Sequence, residues 1–236
     1  VLYMLKNVLY VFLFIFVVYL VINMFSKKTK LLSMSKGNEE NKISASELKN
    51  TGTSMDYTYS MWFYVDDWNY KFGQDKLLFT RSDTANQPSP SVSLGNMENN
   101  ITISVACYAT SSQTASQSNI HKCTINNYPL QKWVNLIVSM QGETLDVYID
   151  GKLEKTCVLE GVPKVSAETD LLVSPNGGFS GWTSNFQYFD KATNPEEAYN
   201  IYKKGYGGGG LGNAFNKYKV RLQLLKENEV AAGVEF

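Results

Sequence analysis

From Asn7 to Ser26 the chain carries no charged side chain, and most positions are Val, Leu, Ile, Phe or Tyr. A helix of about 20 such residues, rising ~1.5 Å each, is about 30 Å long, the thickness of a bilayer core. The run is longer than the apolar region of a cleaved signal peptide. It ends in Asn23-Met24-Phe25-Ser26 and then Lys27-Lys28-Thr29-Lys30 rather than in small residues. The pattern predicts a transmembrane α-helix over 1–26, with Val8, Phe12, Phe16 and Leu20 among its anchor residues. Lys27, Lys28, Lys30 and Lys36 flank one end and only Lys6 the other, so the positive-inside rule places 27–236 on the cytoplasmic side.

Residues 27–50 are polar and mixed in charge, and read as a tether. From about Thr51 the period becomes two. Tyr57–Val65 is an aromatic-rich strand, followed by Lys76–Arg81, Ser91–Leu94 and Ile101–Ala106. Trp133–Met140 and Thr144–Ile149 flank Gln141-Gly142-Glu143, a hairpin signal, and Asp150-Gly151 opens a second tight turn into Lys152–Leu159. Asp170–Ser174 and Thr183–Phe189 complete the series. Many short strands at this spacing predict an antiparallel β-sandwich over 51–205. One short helix is expected: Asn194 caps, Pro195 takes the first helical position, Glu197 lies three after the cap and Gly205 ends it.

Gly205, Gly207 and Gly210 match G-x-G-x-x-G, but a helix precedes them and a strand follows, the reverse of a dinucleotide site. Residues 206–213 therefore read as a Gly-rich linker. In 214–236, Tyr218, Val220, Leu222 and Leu224 alternate with polar residues, and Val230, Ala232, Val234 and Phe236 alternate after them. This is a β-hairpin with one apolar face, and an isolated hairpin is marginal in water. The face is expected to bury against the sandwich or against a partner.

Composition narrows the chemistry. The 22 basic and 22 acidic side chains of the 236 residues balance, which argues against nucleic acid as a partner. A single histidine, His121, excludes a His-rich zinc site. The 3 cysteines, Cys107, Cys123 and Cys157, form no complete disulfide framework. Free thiols are expected on the cytoplasmic side, and a Cys107–Cys123 bridge on the other side. Asn100-Ile101-Thr102 is a glycosylation sequon and a counter-signal to the cytoplasmic orientation.

The stretches YTYSMWFYVDDW (57–68), KLLFTR (76–81), NNYPLQKWVNLIVSMQGETLDVYIDGKLEKT (126–156) and GGFSGWTSNFQYFDKATNPEEAYNIYKKG (177–205) resemble the laminin G-like branch of the concanavalin A-like lectin/glucanase superfamily. The resemblance implies a jelly-roll sandwich of two antiparallel sheets. Trp62, Phe63, Trp133 and Phe186 are expected in its core, and Gly177, Gly178 and Gly181 are expected to turn the backbone ahead of Trp182.

Hydrolases of this fold share a Glu-x-Asp-x-Glu strand, which this chain lacks, so no catalytic residue is assigned. A Cys123–His121 nucleophile pair has no evident orienting group. Calcium-binding relatives use loop carboxylates. Asp66, Asp67, Asp83 and Asp170 are the candidates here, too scattered for a metal or any other cofactor to be assigned. For a glycan, Trp68 and Trp182 are the stacking candidates, with Asp66 and Asp67 beside Trp68.

An anchor, a sandwich and a terminal hairpin together resemble membrane-anchored minor capsid proteins of large DNA viruses, including those infecting algae. That resemblance implies a non-enzymatic virion protein linking other capsid proteins to an inner membrane, with Tyr218, Val220, Leu222 and Leu224 binding the partner. The alternative is a type II membrane lectin that recognises glycans, which needs the opposite orientation.

Overall fold

The computed structural model describes residues 10, 13–14, 16–17, 30–48, 55–108, 119–165, 168–207, 221–226 and 229–235. Its strands, in chain order, are β1 (Lys30–Leu32), β2 (Ser35–Lys36), β3 (Asn41–Ile43), β4 (Tyr57–Val65), β5 (Lys76–Ser82), β6 (Pro88–Leu94), β7 (Ile101–Cys107), β8 (Asn119–Ile125), β9 (Trp133–Gln141), β10 (Thr144–Ile149), β11 (Lys152–Val158), β12 (Leu171–Val173), β13 (Gly181–Phe189), β14 (Arg221–Lys226) and β15 (Glu229–Glu235). One sheet runs β1-β13-β4-β9-β10-β11, with β2 also on β13; the second runs β3-β12-β5-β6-β7-β8. All pairings are antiparallel, and the two sheets face each other as the expected sandwich.

Alternation along β4 shows how the layers arise. Tyr57, Tyr59, Met61, Phe63 and Val65 enter the core between the sheets, where they meet Leu78, Val92, Ile103, Leu136, Val147 and Phe186. The intervening Thr58, Ser60 and Trp62 are also buried, on the other side of the sheet. Trp62 is buried as expected, but on the outer face of the sheet rather than beside Phe63 between the sheets, and Trp133 is only partly buried. Neighbours on a strand face opposite ways, and Trp62 stacks on Tyr202 at 5.5 Å while Trp133 stacks on Tyr206 at 4.8 Å.

The cover on that outer face is helix α1 (Pro195–Lys203) and the residues after it. Asn194 caps it by accepting from the Glu197 N–H at 2.9 Å. Ala198 and Ile201 bury against Ile137 and Tyr148. Several polar groups beneath are paired with the cover: Tyr148 donates to the Thr193 carbonyl, Asn185 to that of Gly205 and Ser184 to that of Tyr206. Glycine is required at two points. Gly151 has φ +75°, and a Cβ there would lie 2.9 Å from Tyr202 Cβ on the helix. A Cβ on Gly181, at φ +146°, would collide with the Tyr64 carbonyl across the β13–β4 pair.

Two boundaries differ from the sequence reading. The expected tether 27–50 contributes β1, β2 and β3 to the sheets, and Ile43 and Leu48 to the core. These are short, polar edge strands with too few residues to display a period. The second difference is a disulfide between Cys123 of β8 and Cys157 of β11, with Cys107 free and buried. It replaces the expected free thiols and the alternative Cys107–Cys123 bridge. Because β8 and β11 are the last strands of their respective sheets, the bond closes one open side of the sandwich.

Of the expected anchor, Val8, Phe12 and Leu20 lie outside the described residues; Tyr10, Leu13, Phe14, Phe16 and Val17 are helical and exposed. Among the described residues no helix is long and apolar enough to cross a membrane. The linker expected over 206–213 is described only at Tyr206 and Gly207. Tyr218 and Val220 of the expected hairpin also lie outside the described residues. Leu222 and Leu224 sit on β14, opposite Val234 and Ala232 of β15, and this pair forms a sheet of its own.

Replacing Cys123 and Cys157 together by Ser is expected to lower the unfolding free energy by about 3–4 kcal/mol, the loop entropy of a crosslink spanning 34 residues. Urea unfolding measures the loss, and non-reducing peptide mapping should recover the Cys123–Cys157 pair with Cys107 alone. The core tyrosines give a pH signature. Burial raises Tyr57, Tyr59, Tyr128, Tyr148 and Tyr188 above the ordinary value of 10.0. The folded state holds these protons after the unfolded chain has released them. Stability is thus whole below about pH 10 and falls as the pH climbs toward the folded values. Urea midpoints measured between pH 8 and 11 should decline once the pH passes the ordinary tyrosine value, because the unfolded chain then releases protons that the buried tyrosines retain.

Candidate functional site

Three loops at one end of the sandwich enclose a groove of about 630 Å³, lined by Trp68, Met97, Glu98, Asn99, Asn100, Asn126, Asn127 and Leu130. They are the β4–β5 loop (66–75), the β6–β7 loop (95–100) and the β8–β9 loop (126–132). Sheet register brings the last two together: Ile101 of β7 pairs with Ile125 of β8, so Asn100 and Asn126 leave the sheet side by side. A reciprocal pair of bonds then joins the loops. The Tyr128 N–H donates to the Asn99 carbonyl at 3.2 Å, and the Asn99 amide donates to the Tyr128 carbonyl at 3.1 Å. The first loop is tied in by the Gly73 N–H on the Asn96 carbonyl at 3.0 Å. The site is preformed, and its size suits a small organic ligand.

Trp68 is fixed from behind. Lys76, buried at the start of β5, donates to the Trp68 carbonyl at 2.9 Å and holds its ammonium 3.8 Å from the indole centroid. Burial lowers the Lys76 pKa, and the charge of Asp67 partly opposes this. Tyr128 meets the indole edge-on at 6.4 Å, and its own hydroxyl is buried and raised by desolvation. The groove can therefore use only the indole surface that Lys76 leaves open. Around it stand four asparagine amides, each both donor and acceptor, with Glu98 as the one charged lining side chain. Asn100 donates to that carboxylate at 2.9 Å. A flat apolar face beside paired donors and acceptors suits a sugar ring, whose C–H face stacks while its hydroxyls exchange hydrogen bonds.

The sequence candidates divide. Trp68 lines the groove. Asp66 and Asp67 are exposed on the same loop but do not line it: the Asp66 N–H donates to the Ser180 carbonyl, and Asp67 Oδ1 accepts from the Asn69 N–H in an Asx turn. Trp182 is 41% exposed on the outer face of the first sheet, opposite Tyr64 and Lys36 in register, so it is not brought to Trp68. Sequence reasoning missed the asparagines. Asn99-Asn100 and Asn126-Asn127 read there as turn residues, and their convergence depends on the β7–β8 register.

The calcium candidates Asp83 and Asp170 are committed to other partners. Asp83 Oδ1 accepts from the Ala85 and Gln87 N–H groups. Asp170 bonds Lys42 and the Ala45 N–H, contacts that hold its carboxyl below the usual range. Among the described residues, no group of three or more His, Cys, Asp or Glu side chains could hold a metal. Cys123 lies in the disulfide, which removes the thiol a Cys123–His121 pair would need.

The comparisons agree with this architecture. No curated protein matches the chain in sequence. Among solved structures it is similar to the receptor binding domain of botulinum neurotoxin D, with a TM-score of 0.54 and 14% identity over 74% of this chain and 44% of that one. It is also similar to the botulinum neurotoxin serotype D ligand binding domain in complex with N-acetylneuraminic acid, with a TM-score of 0.55 and 13% identity over 76% and 46%. The chain thus matches less than half of either domain, and identities this low establish the fold alone.

Replacing Lys76 by Met keeps the stem but removes the donor to the Trp68 carbonyl and the charge over the indole. The variant is expected to lose about 1–3 kcal/mol in urea unfolding; an unchanged midpoint would mean that Lys76 does not hold Trp68. The profile of the concanavalin A-like lectin/glucanase superfamily, in its laminin G-like branch, matches residues 36–198, and the chain belongs to that family.

Proposed function

We propose that the protein is a non-enzymatic glycan-binding domain, carried on a membrane by its N-terminal apolar segment, that takes a neutral sugar in the groove beside Trp68. The observation that carries this reading is the groove itself: one tryptophan and four asparagines converge from three loops that are bonded to one another. Glu98 is the one carboxylate lining it, so the two-carboxylate geometry of a glycosidase is not assembled there. A similar solved structure holds N-acetylneuraminic acid, an anionic sugar. In this groove Glu98 would repel such a carboxylate and no lining cation would offset it, so neutral hexoses and N-acetylhexosamines fit better.

The Cys123–Cys157 bridge supports the orientation that a lectin needs, because disulfides persist on the oxidising side of membranes. That contrasts with the cytoplasmic side expected from the lysines. One observation favours the second reading, a minor capsid protein tethering a capsid layer to an inner membrane: among the described residues β14 and β15 form a two-stranded sheet apart from the sandwich sheets, a hairpin of the kind a partner could bind.

On a glycan array the full chain is expected to bind neutral glycans and to ignore their sialylated forms. Trp68→Ala and Asn126→Ala should each reduce binding at least about tenfold, while Trp182→Ala should leave it unchanged. Silence on every glycan, or equal loss with Trp182→Ala, would refute the groove as the site. Protease treatment of sealed vesicles carrying the full chain separates the two readings: protection of the sandwich is expected for the lectin, digestion for the tether.

A further inference from the structure

Far from the groove, between the two sheets, four large polar side chains are enclosed together. Arg81 is 2% exposed, Tyr57 2%, Tyr59 1% and Tyr188 6%. Arg81 stands on β5 in one row with Leu171 of β12 and Ile43 of β3, both core residues. Tyr57 and Tyr59 lie on the inner face of β4, and Tyr188 pairs with Tyr59 across β13. The Tyr59 ring centroid is 5.3 Å from that of Tyr57 and 5.2 Å from that of Tyr188.

The hydrogen bonding of this cluster is incomplete in one sense only. Arg81 Nε donates to the Thr169 carbonyl at 3.0 Å, and Nη1 reaches the Tyr59 hydroxyl at 3.5 Å. Among the described residues, Arg81 Nη2, the Tyr57 hydroxyl and the Tyr188 hydroxyl have no partner. The guanidinium cannot shed its charge. Asp170, whose carboxylate feels that charge, already bonds the Ala45 N–H through Oδ1 and Lys42 through Oδ2. Three buried donor groups, one of them on a cation, therefore face the core with no acceptor among the described residues. A water molecule would accept a bond but add no charge to the partial compensation that Asp170 gives the guanidinium. A close-packed core has room only for a small ion.

We propose that Arg81, together with the Tyr57 and Tyr188 hydroxyls, holds a small monovalent anion of the halide class between the two sheets. Each hydroxyl rotates to donate, and Nη2 supplies the charged hydrogen bond. The ion is structural. It joins β5 of one sheet to β4 and β13 of the other at the end of the sandwich opposite the groove, and it does not depend on the glycan reading.

Bromide is the probe. Thermal unfolding of the full chain is followed while sodium bromide replaces sodium gluconate at constant ionic strength. The unfolding midpoint is expected to rise and saturate. Tyr188→Phe and Tyr57→Phe each keep the ring but remove one donor, and should each shift half-saturation to about tenfold higher bromide. Crystals grown in bromide should show an anomalous peak within hydrogen-bond distance of Arg81 Nη2. A rise that never saturates, a saturating rise that both Phe variants leave unchanged, or an ordered water without anomalous signal at that position would overturn the proposal.

Discussion

Strand β4 has no solvent side, and the rest of the architecture follows from that constraint. Its odd-numbered residues fill the space between the sheets, and its even-numbered ones, Thr58, Ser60 and Trp62, are buried outside it. A sheet with two buried faces needs two covers. The second sheet is one; α1 with the Gly205-Tyr206 segment is the other. Polar groups trapped under the outer cover must find partners there. That is why Asn185 bonds the Gly205 carbonyl, Ser184 that of Tyr206 and Tyr148 that of Thr193. Where both faces of the sheet are occupied in this way, along β4, the loops at the ends of the strands are the parts free to vary.

The groove illustrates how such loops become a site. None of its lining residues belongs to a strand, yet each is set by one. The β7–β8 register sets Asn100 beside Asn126, and the end of β4 delivers Trp68 over Lys76 at the start of β5. Lys76 is the unusual element, a buried ammonium whose affinity for its proton is lowered by desolvation and which has a carbonyl and an indole face as partners. Its role is positional, because it holds Trp68 at a fixed height and closes one face to solvent. A rigid aromatic platform loses little entropy when a ligand stacks on it.

The regular part of the fold was legible in the sequence because period and turn chemistry agreed. Tyr57–Val65 and Thr144–Ile149 were read with the bounds they have, and Asp150 and Gly151 both take the positive φ expected of their turn. Alternation could also have separated Trp62 from Phe63, since adjacent residues cannot share a face. What covers the outer face depends on where α1 lands. Strand β8 went unassigned because Asn119-Ile120-His121-Lys122 mixes polar and apolar residues as an edge strand does. Strands β1 to β3 were hidden because they are so short, and only Leu31, Leu32 and Ile43 of them pack against the core. The groove was half legible: Trp68 stands out by type, whereas an asparagine has the same appearance in any turn.

Cysteine pairing was the least legible feature, and it bears most on where the domain works. Spacing along the chain cannot tell that Cys123 and Cys157 belong to different sheets, nor that each lies on the last strand of its own. The bond ties β8 to β11, and β8 runs directly into the loop that carries Asn126, Asn127 and Tyr128. Half of the reciprocal clasp with Asn99 therefore hangs from a strand whose free edge is secured by the disulfide rather than by another strand. Lys155 of β11 adds a bond to the Thr124 carbonyl of β8 along the same edge, and Ile125 packs into the core beneath it. The β7–β8 pairing sets the two asparagine loops side by side, and the disulfide anchors the other edge of the strand that carries one of them.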